Sequence, residues 1–210
     1  MRVLIIDDHA IVRRGIISLL REYFHEDVEV GEAADAKTAM AAVLAKPWDL
    51  ALLDISMPGR NGLELIAEIK RERPEVPILV ISTHPEKDYA LRALKSGASG
   101  YVSKQSAPDV LVTAVKRVLG GGRYVSQAFA EHLAGTMASK SGGTSHETLS
   151  NRELLVLKLI ASGKSIKEIS AELALSVKTV ATYRSRIAEK MNLSSNVDLT
   201  RYAMQHGLVE

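Results

Sequence analysis

The chain has 210 residues, of which 46% are hydrophobic and 25% are charged, which suits one large globular domain or two smaller ones. It contains no cysteine, so disulfides and thiolate metal sites are excluded. The net charge is only +2, but residues 149–210 carry nine basic and six acidic side chains, whereas residues 1–148 carry 18 and 19. This asymmetry weakly indicates an acidic module joined to one that binds a polyanion.

The chain begins with MRVLIIDD, where only four apolar residues precede two acids. That run is far too short for the core of a signal peptide, and no later apolar run is long enough to span a bilayer. We therefore expect a cytoplasmic protein with no membrane contact.

Five short apolar segments, each followed by a helical pattern, make up the first part of the chain. The expected strands are residues 3–6, 28–31, 50–53, 78–81 and 101–102. Helices are expected after the first strand, from an Asp35 cap to Pro47, through Leu63, Ile66 and Ile69, and at residues 86–95 and 108–119. This alternation predicts an α/β fold with a doubly wound, five-stranded parallel sheet of order 2-1-3-4-5.

Three aspartates follow two of these strands. Asp7 and Asp8 end the first strand, and Asp54 ends the third, just before a Pro-Gly turn signal. In the expected strand order they converge at the carboxyl edge of the sheet, where open α/β sheets bind ligands. Carboxylates about 4 Å apart repel by roughly 4 kcal/mol at an effective dielectric near 20, so the cluster calls for a cation. Oxygen ligands favour Mg²⁺ before Ca²⁺.

Ser82 and Lys104 add complementary groups at the same edge. Ser82 ends the fourth strand with a hydroxyl donor, and Lys104 follows the fifth with a cation. The combined set suits phosphoryl transfer to a carboxylate nucleophile, with Mg²⁺ and a lysine holding the phosphoryl oxygens. Each residue also has an ordinary explanation, because aspartate is common in turns, acid pairs are common at helix N-termini and most lysines are solvated.

Residues 1 to about 121 resemble the flavodoxin-like receiver domain of a two-component response regulator. The resemblance rests on the IIDDH start, DISMPGRNG around Asp54, Ser82, and the GASGYVSK stretch. It implies that Asp54 accepts a phosphoryl group from a histidine kinase. It also implies that Asp8 binds Mg²⁺ directly, that Asp7 assists, and that the Ser56 carbonyl completes the coordination.

The same resemblance implies a switch that responds to the phosphoryl group. Ser82 would be the switch hydroxyl, Tyr101 the aromatic residue that reorients with it, and Lys104 the lysine that pairs with the phosphate. Many receivers carry proline after this lysine, whereas Gln105 stands here. Because a cis non-proline bond costs about 3 kcal/mol, we do not assume cis geometry at Gln105.

The regular helical and strand patterns end at about residue 120 and resume at about residue 148. GGGRYVSQ and SKSGGTSHET are rich in glycine, serine and threonine, which is typical of a linker, although residues 127–137 between them could form a short helix. The glycines form neither GxxxxGK[ST] nor GxGxxG, so they are not a phosphate-binding loop.

The last part of the chain is almost wholly helical in pattern. A capping box at Ser150 and Glu153 begins a helix that Gly163 stops, and a short second helix ends at a break over residues 174–176. The expected buried stripe of the third helix is Val177, Val180, Ile187 and Met191. Spacing alone fits a helix-turn-helix or an ordinary helical hairpin.

The stretch LSNRELLVLKLIASGKSIKEISAELALSVKTVATYRSRIAEKMNL resembles the four-helix LuxR-type DNA-binding domain, with residues 196–206 as its fourth helix. Together, the two parts resemble regulators of the NarL/FixJ type. In these regulators the third helix of the DNA-binding domain enters the major groove. The resemblance implies base contacts by Lys178, Ala181, Thr182 and Ser185, and phosphate contacts by Thr179, Tyr183, Arg184, Arg186 and Lys190. Several relatives carry longer or basic side chains where Ala181 and Ser185 stand. The operator sequences of those relatives therefore cannot be assigned to this chain.

The combined resemblance implies a transcriptional regulator controlled by phosphorylation of Asp54, and not an enzyme with an external substrate. The receiver itself would assist phosphorylation and dephosphorylation of Asp54 with Mg²⁺. The implied partners are a cognate histidine kinase and double-stranded promoter DNA, with RNA polymerase as a further partner. The phosphorylated protein would bind inverted repeats as a homodimer. The implied domains are a receiver at 1–121, a linker at 122–147 and a DNA-binding domain at 148–210.

Two other functions fit part of the pattern. An aspartyl-phosphate phosphohydrolase would use the same ion and nucleophile, but that class carries D-x-D after its first strand, whereas Asp7 and Asp8 are adjacent. A constitutive DNA-binding or dimerisation module with a silent receiver is the other. Phosphorylation with a small-molecule phosphodonor discriminates between these functions.

Overall fold

The computed structural model describes residues 1–25, 28–57, 62–138 and 145–209. Contacts divide the chain into two compact units, Met1–Ser139 and Lys140–Glu210. The domain boundaries expected at residues 121 and 148 remain predictions. The Pro-Gly turn signal after Asp54 and the linker residues 139–144 lie outside the described residues. No described helix is long and apolar enough to cross a membrane.

The first unit contains the parallel sheet that the alternating pattern predicts. Its strands are β1 (Arg2–Ile6), β2 (Glu29–Ala33), β3 (Leu50–Leu53), β4 (Ile78–Ser82) and β5 (Gly100–Ser103). Their order is β2-β1-β3-β4-β5, which confirms the expected topology. The helices are α1 (Ala10–Phe24), α2 (Ala36–Ala45), α3 (Gly62–Glu72), α4 (Glu86–Lys95) and α5 (Pro108–Leu119).

Both faces of the sheet are buried, as continuous apolar strands require. Successive strand side chains point to opposite faces, so Leu4 and Leu53 belong to one apolar core and Ile5 and Leu52 to the other. The pairing of Ile6 with Leu53 in the β1–β3 register places the residues after the two strands side by side. This register brings the strand-end aspartates together.

The chain after α5 continues along the first unit and forms α6 (Gln127–Ala138). A helix was expected over residues 127–137, and the structure contains one. Tyr124, just before it, forms an isolated parallel bridge with Gly100 at the edge of β5. Phe129, on α6, is buried in the same core as Leu4 and Leu53.

The second unit is a small helical fold. It contains a 3-10 helix (Ser145–Thr148), α7 (Asn151–Ala161), α8 (Ile166–Glu172), α9 (Val177–Met191) and α10 (Asn196–Gln205). Ser150 and Glu153 form the expected capping box of α7. Ala174, between α8 and α9, has a φ of 51°, a left-handed conformation that makes the predicted break.

One expectation for the buried stripe of α9 was wrong. Val180, Ile187 and Met191 are buried, but Val177 is 48% exposed. Val177 is the first residue of α9, and helical side chains point back toward the N-terminus. The Val177 side chain therefore points away from the core that forms further along α9.

Candidate functional site

Asp7 and Asp54 lie side by side at the carboxyl edge of the sheet. Both side chains are buried, with only 2% of each residue exposed. The sheet hydrogen bonding extends past the strand ends, because the Asp54 N–H donates to Ile6 O at 2.8 Å and the Asp7 N–H donates to Ala33 O at 3.1 Å. The backbone therefore holds two carboxylates where the sequence predicted them.

Lys104 bridges these two carboxylates. Its Nζ donates to Asp54 Oδ2 at 2.6 Å and lies 2.7 Å from Asp7 Oδ2. Burial lowers the pKa of the Lys104 ammonium, but its bonds to Asp54 and Asp7 outweigh burial and raise the pKa above its usual value. The lysine thus stays charged and offsets part of the repulsion between the acids.

Asp8 completes an acidic pocket, in which one of its carboxylate oxygens is available to bind a metal ion. Ligand atoms of Asp7, Asp8, His9 and Asp54 all lie within 4.8 Å of one another. Asp8 Oδ1 is buried and accepts no hydrogen bond, although His9 Nδ1 lies 3.0 Å away. An unsatisfied buried carboxylate oxygen among other carboxylates fits a hard divalent cation, so the pocket is consistent with divalent metal binding.

Two residues of this pocket, His9 and Arg13, were not among the site residues predicted from the sequence. His9 Nδ1 lies 3.2 Å from Asp7 Oδ1, and the His9 backbone N–H donates to the same oxygen at 2.8 Å. Arg13 Nη1 donates to Asp7 O at 2.7 Å, while Arg13 Nε donates to Glu32 Oε2 at 2.8 Å. His9 follows the acids directly and was therefore detectable, whereas the contacts of Arg13 depend on α1 and β2 meeting in three dimensions.

The hydroxyl of Ser82 lies within a network of short contacts next to Asp54. Ser82 Oγ is 3.1 Å from Ser56 Oγ and accepts the His84 N–H at 3.1 Å. The Ser56 N–H donates to Asp54 Oδ1 at 2.7 Å, which brings Ser56 to the pocket as well. Ser82 is fully buried, so its hydroxyl makes these contacts inside the protein and not in solvent.

Tyr101 joins the network from β5. Its side chain is fully buried, and its hydroxyl donates to His84 O at 2.8 Å. Burial raises the pKa of the Tyr101 phenol well above its usual value. His84 also stacks on Tyr89 of α4, with ring centroids 4.4 Å apart. No peptide bond of the described residues is cis, so the bond before Gln105 is trans.

The outer face of α9 carries the residues expected to contact DNA. Ser176 caps the helix by accepting the Thr179 N–H at 3.0 Å. Thr179, Tyr183 and Arg184 are partly buried. The side chains that are exposed are Lys178, Ala181, Thr182, Ser185, Arg186 and Lys190. The four expected base-reading positions are therefore all accessible and share one face of the helix.

Two of the expected phosphate-contacting residues also bind within the second unit. Lys190 Nζ lies 2.6 Å from Oε2 of the buried Glu153. Arg184 Nε donates to Asn196 Oδ1 at 2.8 Å, which joins α9 to the start of α10. A phosphate would therefore compete with existing partners for both side chains.

Known proteins resemble the chain over both units. A family model described as the response regulator receiver domain matches residues 3–116, and one described as bacterial regulatory proteins of the luxR family matches residues 147–203. The chain is 37% identical over 209 residues to the response regulator UvrY of Escherichia coli O6:H1, covering 99% of this chain and 95% of UvrY. It is 36% identical over 211 residues to the response regulator GacA of Pseudomonas protegens, covering 100% and 98%.

Solved structures show the same architecture. RcsB from Salmonella enterica serovar Typhimurium, bound to a promoter in the presence of the phosphomimetic BeF3-, has a TM-score of 0.61 at 30% identity, covering 96% of this chain and 97% of RcsB. A structure of two RcsB dimers bound to two parallel DNAs has a TM-score of 0.60 at 29% identity, covering 97% and 98%.

Proposed function

The chain belongs to the response regulators of the NarL/FixJ type, which join a receiver domain to a LuxR-type DNA-binding domain, and from this premise we propose that phosphorylation of Asp54 controls its binding to promoter DNA. The observation that carries the proposal is the Lys104 bridge. The buried Asp54 carboxylate lies at the edge of the sheet, 2.6 Å from the Lys104 ammonium. In this position it can receive a phosphoryl group, and the ammonium then pairs with the phosphoryl oxygens.

The proposed reaction transfers a phosphoryl group from a phosphohistidine of the cognate histidine kinase. An oxygen of Asp54 forms a bond to phosphorus as the phosphorus–nitrogen bond to the kinase breaks, and the histidine nitrogen leaves with the electron pair. Lys104 stabilises the charge on the phosphoryl oxygens, and Ser82 offers its hydroxyl to one of them. The product is an acyl phosphate on Asp54. Attack by water on its phosphorus breaks the bond from phosphorus to the Asp54 oxygen, which releases inorganic phosphate and restores the carboxylate.

Mg²⁺ is the proposed cofactor. Asp7, Asp8, Asp54 and the Ser56 carbonyl would hold it, and Asp8 Oδ1 is suited to this role because it is buried without a hydrogen-bond partner. When bound, Mg²⁺ supplies positive charge that offsets the negative charge of the phosphoryl oxygens. The receiver thus assists its own phosphorylation and dephosphorylation without turning over a separate substrate.

The second unit would read inverted-repeat promoter DNA through α9. Lys178, Ala181, Thr182 and Ser185 would face base edges, and RNA polymerase would be a further partner at the promoter. The flanking residues proposed to face phosphates are Thr179, Tyr183, Arg184, Arg186 and Lys190. Solved structures of RcsB, one bound to a promoter with BeF3- present and one with two dimers on DNA, support a phosphorylation-dependent homodimer.

The test is phosphorylation followed by DNA binding. After treatment with acetyl phosphate and Mg²⁺, mass spectrometry should locate one phosphoryl group on Asp54, and affinity for promoter DNA should rise. Asp54→Asn should lose both effects. Labelling that persists at full level in Asp54→Asn would refute the assignment, and full labelling with unchanged DNA affinity would favour a constitutive DNA-binding module with a silent receiver.

A further inference from the structure

Arg13 is a cation close to the N-terminus of α1, where the helix dipole disfavours positive charge. It is the fourth residue of the helix, and the first turn of α1 carries no acidic residue that would offset its charge. Only 14% of the Arg13 side chain is exposed. A charged group that is largely buried at such a position needs partners, and Arg13 has two of them.

The two partners of Arg13 lie on different parts of the sheet. Arg13 Nη1 donates to Asp7 O at 2.7 Å, directly after β1, and Arg13 Nε donates to Glu32 Oε2 on β2 at 2.8 Å. Glu32 pairs with Ile5 in the β1–β2 register. The guanidinium is a rigid planar fork, so one side chain can hold both acceptors in a fixed geometry. Arg13 therefore joins α1 to the ends of two neighbouring strands.

The bond to Asp7 O acts on the piece of backbone that carries Asp8. The Asp7 N–H already donates to Ala33 O at 3.1 Å, so Arg13 completes the hydrogen bonding of the Asp7 backbone. Asp7 O and the Asp8 Cα belong to one planar peptide unit. Holding that oxygen restricts the direction in which Asp8 leaves the strand. Because Asp8 Oδ1 accepts no hydrogen bond of its own, the backbone is what sets the position of this carboxylate.

We propose that Arg13 is a positioning residue for the Asp8 carboxylate, and that Glu32 holds Arg13 in place for this role. The inference rests on the proposed function, because the ion that Asp8 would bind is the proposed Mg²⁺. A guanidinium has no lone pair to offer a metal ion, so Arg13 acts through the backbone of Asp7 and not as a ligand. Its positive charge opposes a nearby cation. Any gain in Mg²⁺ affinity from Arg13 therefore comes from geometry.

Calorimetric titration of the full-length chain with Mg²⁺ separates geometry from charge, because the two predict opposite signs. Arg13→Met keeps an apolar stem and removes the cation, so charge alone would make Mg²⁺ binding tighter. Loss of positioning should instead weaken Mg²⁺ binding by about tenfold, as for other residues that orient a metal ligand. Arg14→Met makes the same charge change at an exposed position of α1 and should bind Mg²⁺ at least as tightly as the wild type. Wild-type or tighter binding by Arg13→Met overturns the proposal.

Two variants of Glu32 test whether this residue holds Arg13. Glu32→Gln and Glu32→Ala remove the same negative charge, but only Glu32→Gln keeps an oxygen that can accept the Arg13 Nε–H. Glu32→Ala should therefore bind Mg²⁺ more weakly than Glu32→Gln by a factor of about three, which is typical of one lost hydrogen bond. Equal Mg²⁺ affinity of the two variants would show that Glu32 has no part in positioning.

Hydrogen exchange in the presence of a chelator provides a measurement that does not involve the ion. The His9 N–H donates to Asp7 Oδ1 at 2.8 Å, so its exchange reports on the segment that carries Asp8. In Arg13→Met this amide should exchange about threefold to tenfold faster than in the wild type, while the amides of β3 stay unchanged. Equal acceleration in β3 would indicate a general loss of stability, and the positioning role would be wrong.

Labelling of Asp54 by acetyl phosphate, measured across Mg²⁺ concentrations, separates this inference from the proposed function. In Arg13→Met the Mg²⁺ concentration for half-maximal labelling should rise about tenfold, whereas the rate at saturating Mg²⁺ should approach that of the wild type, since Ser82 and Lys104 are unchanged. If the wild type binds no Mg²⁺ or gains no label, the proposed function fails and the inference fails with it. If the wild type is labelled and Arg13→Met matches it at every Mg²⁺ concentration, the inference fails alone.

Discussion

Lys104 Nζ lies 2.6 Å from Asp54 Oδ2 in the acidic pocket, and this bond joins residues 50 positions apart in the chain. Lys104→Met should lower the free energy of unfolding by about 3 kcal/mol, because it leaves two buried carboxylates without their cation. The measurement is urea unfolding without divalent ions. Lys95→Met, at an exposed position on α4, is the control and should change stability by less than about 0.5 kcal/mol. Equal effects of the two variants would show that the bridge does not stabilise the fold.

Asp8→Asn tests the proposed ion site. The variant removes one negative charge from the pocket and replaces one carboxylate oxygen by an amide nitrogen that cannot bind the ion, so Mg²⁺ affinity should fall at least about tenfold while stability without the ion stays equal or rises. Calorimetric titration is the suitable measurement. A Mg²⁺ affinity equal to that of the wild type would contradict the role of Asp8.

Trp48 is the one tryptophan of the chain and would be the natural fluorescent reporter of Mg²⁺ binding, but its position in the fold makes it a poor one. It is buried just before β3, where its Nε1 donates to Ala42 O at 2.9 Å, whereas Asp54 follows the same strand. Six residues of extended chain separate them by roughly 20 Å at about 3.3 Å per residue. A signal that does not depend on this tryptophan is therefore needed.

The alternation of apolar runs with helical patterns predicted the parallel sheet and its strand order. The aspartates at the ends of neighbouring strands then predicted that these acids converge. The bridge between Tyr124 and Gly100 at the edge of the sheet was missed, since a single bridge has no sequence period. The pairing of Lys190 with Glu153 was missed because it joins α9 to α7 across 37 residues. Contacts of this kind depend on tertiary packing, which neither propensity nor periodicity encodes.

The Glu153 carboxylate should make the stability of the second unit depend on pH. Burial raises the pKa of this carboxyl group, but hydrogen bonds from Lys190 and from Ser150 outweigh burial and lower it. A lowered folded-state pKa gives stability that is present above the unfolded-state pKa, about 4.3, and is lost as pH falls through the lower folded-state value. The difference in unfolding free energy between wild type and Glu153→Gln should therefore be constant above about pH 5.5 and shrink below about pH 4. A difference that does not change with pH would contradict this assignment.

Lys190→Ala separates a structural role for this lysine from a DNA contact. Because the Lys190 ammonium already pairs with buried Glu153, the variant should lose about 1–3 kcal/mol of stability. If Lys190 also contacts a phosphate, the salt dependence of DNA binding should flatten by about one unit of slope. Unfolding and anisotropy measured on the same protein distinguish the two roles, and a changed salt slope with unchanged stability would show that the phosphate contact is the dominant one.

Binding to single and paired half-sites tests how phosphorylation acts on DNA recognition. One helix-turn-helix presents one recognition helix, whereas a two-fold dimer presents two about 34 Å apart and joins two half-sites of a palindrome. If phosphorylation promotes the dimer, affinity for an inverted repeat should rise while affinity for a single half-site changes much less. Fluorescence anisotropy across half-site spacings measures this. Equal gains on both DNAs would instead indicate that phosphorylation unmasks the recognition helix.

The same assay tests two exposed residues of α9, Lys178 and Arg186. Arg186→Ala should weaken binding to all sequences alike and flatten the salt dependence by about one unit, as expected for a phosphate contact. Lys178→Ala should instead change the preference among half-site sequences by about 1–3 kcal/mol at one base pair, because it is expected to read a base edge. The two variants remove one positive charge each from the same helix, so each is the charge-matched control for the other. If both shift the salt slope equally and leave sequence preference unchanged, Lys178 contacts the DNA backbone and the base-reading face of α9 has to be reassigned to Ala181, Thr182 and Ser185.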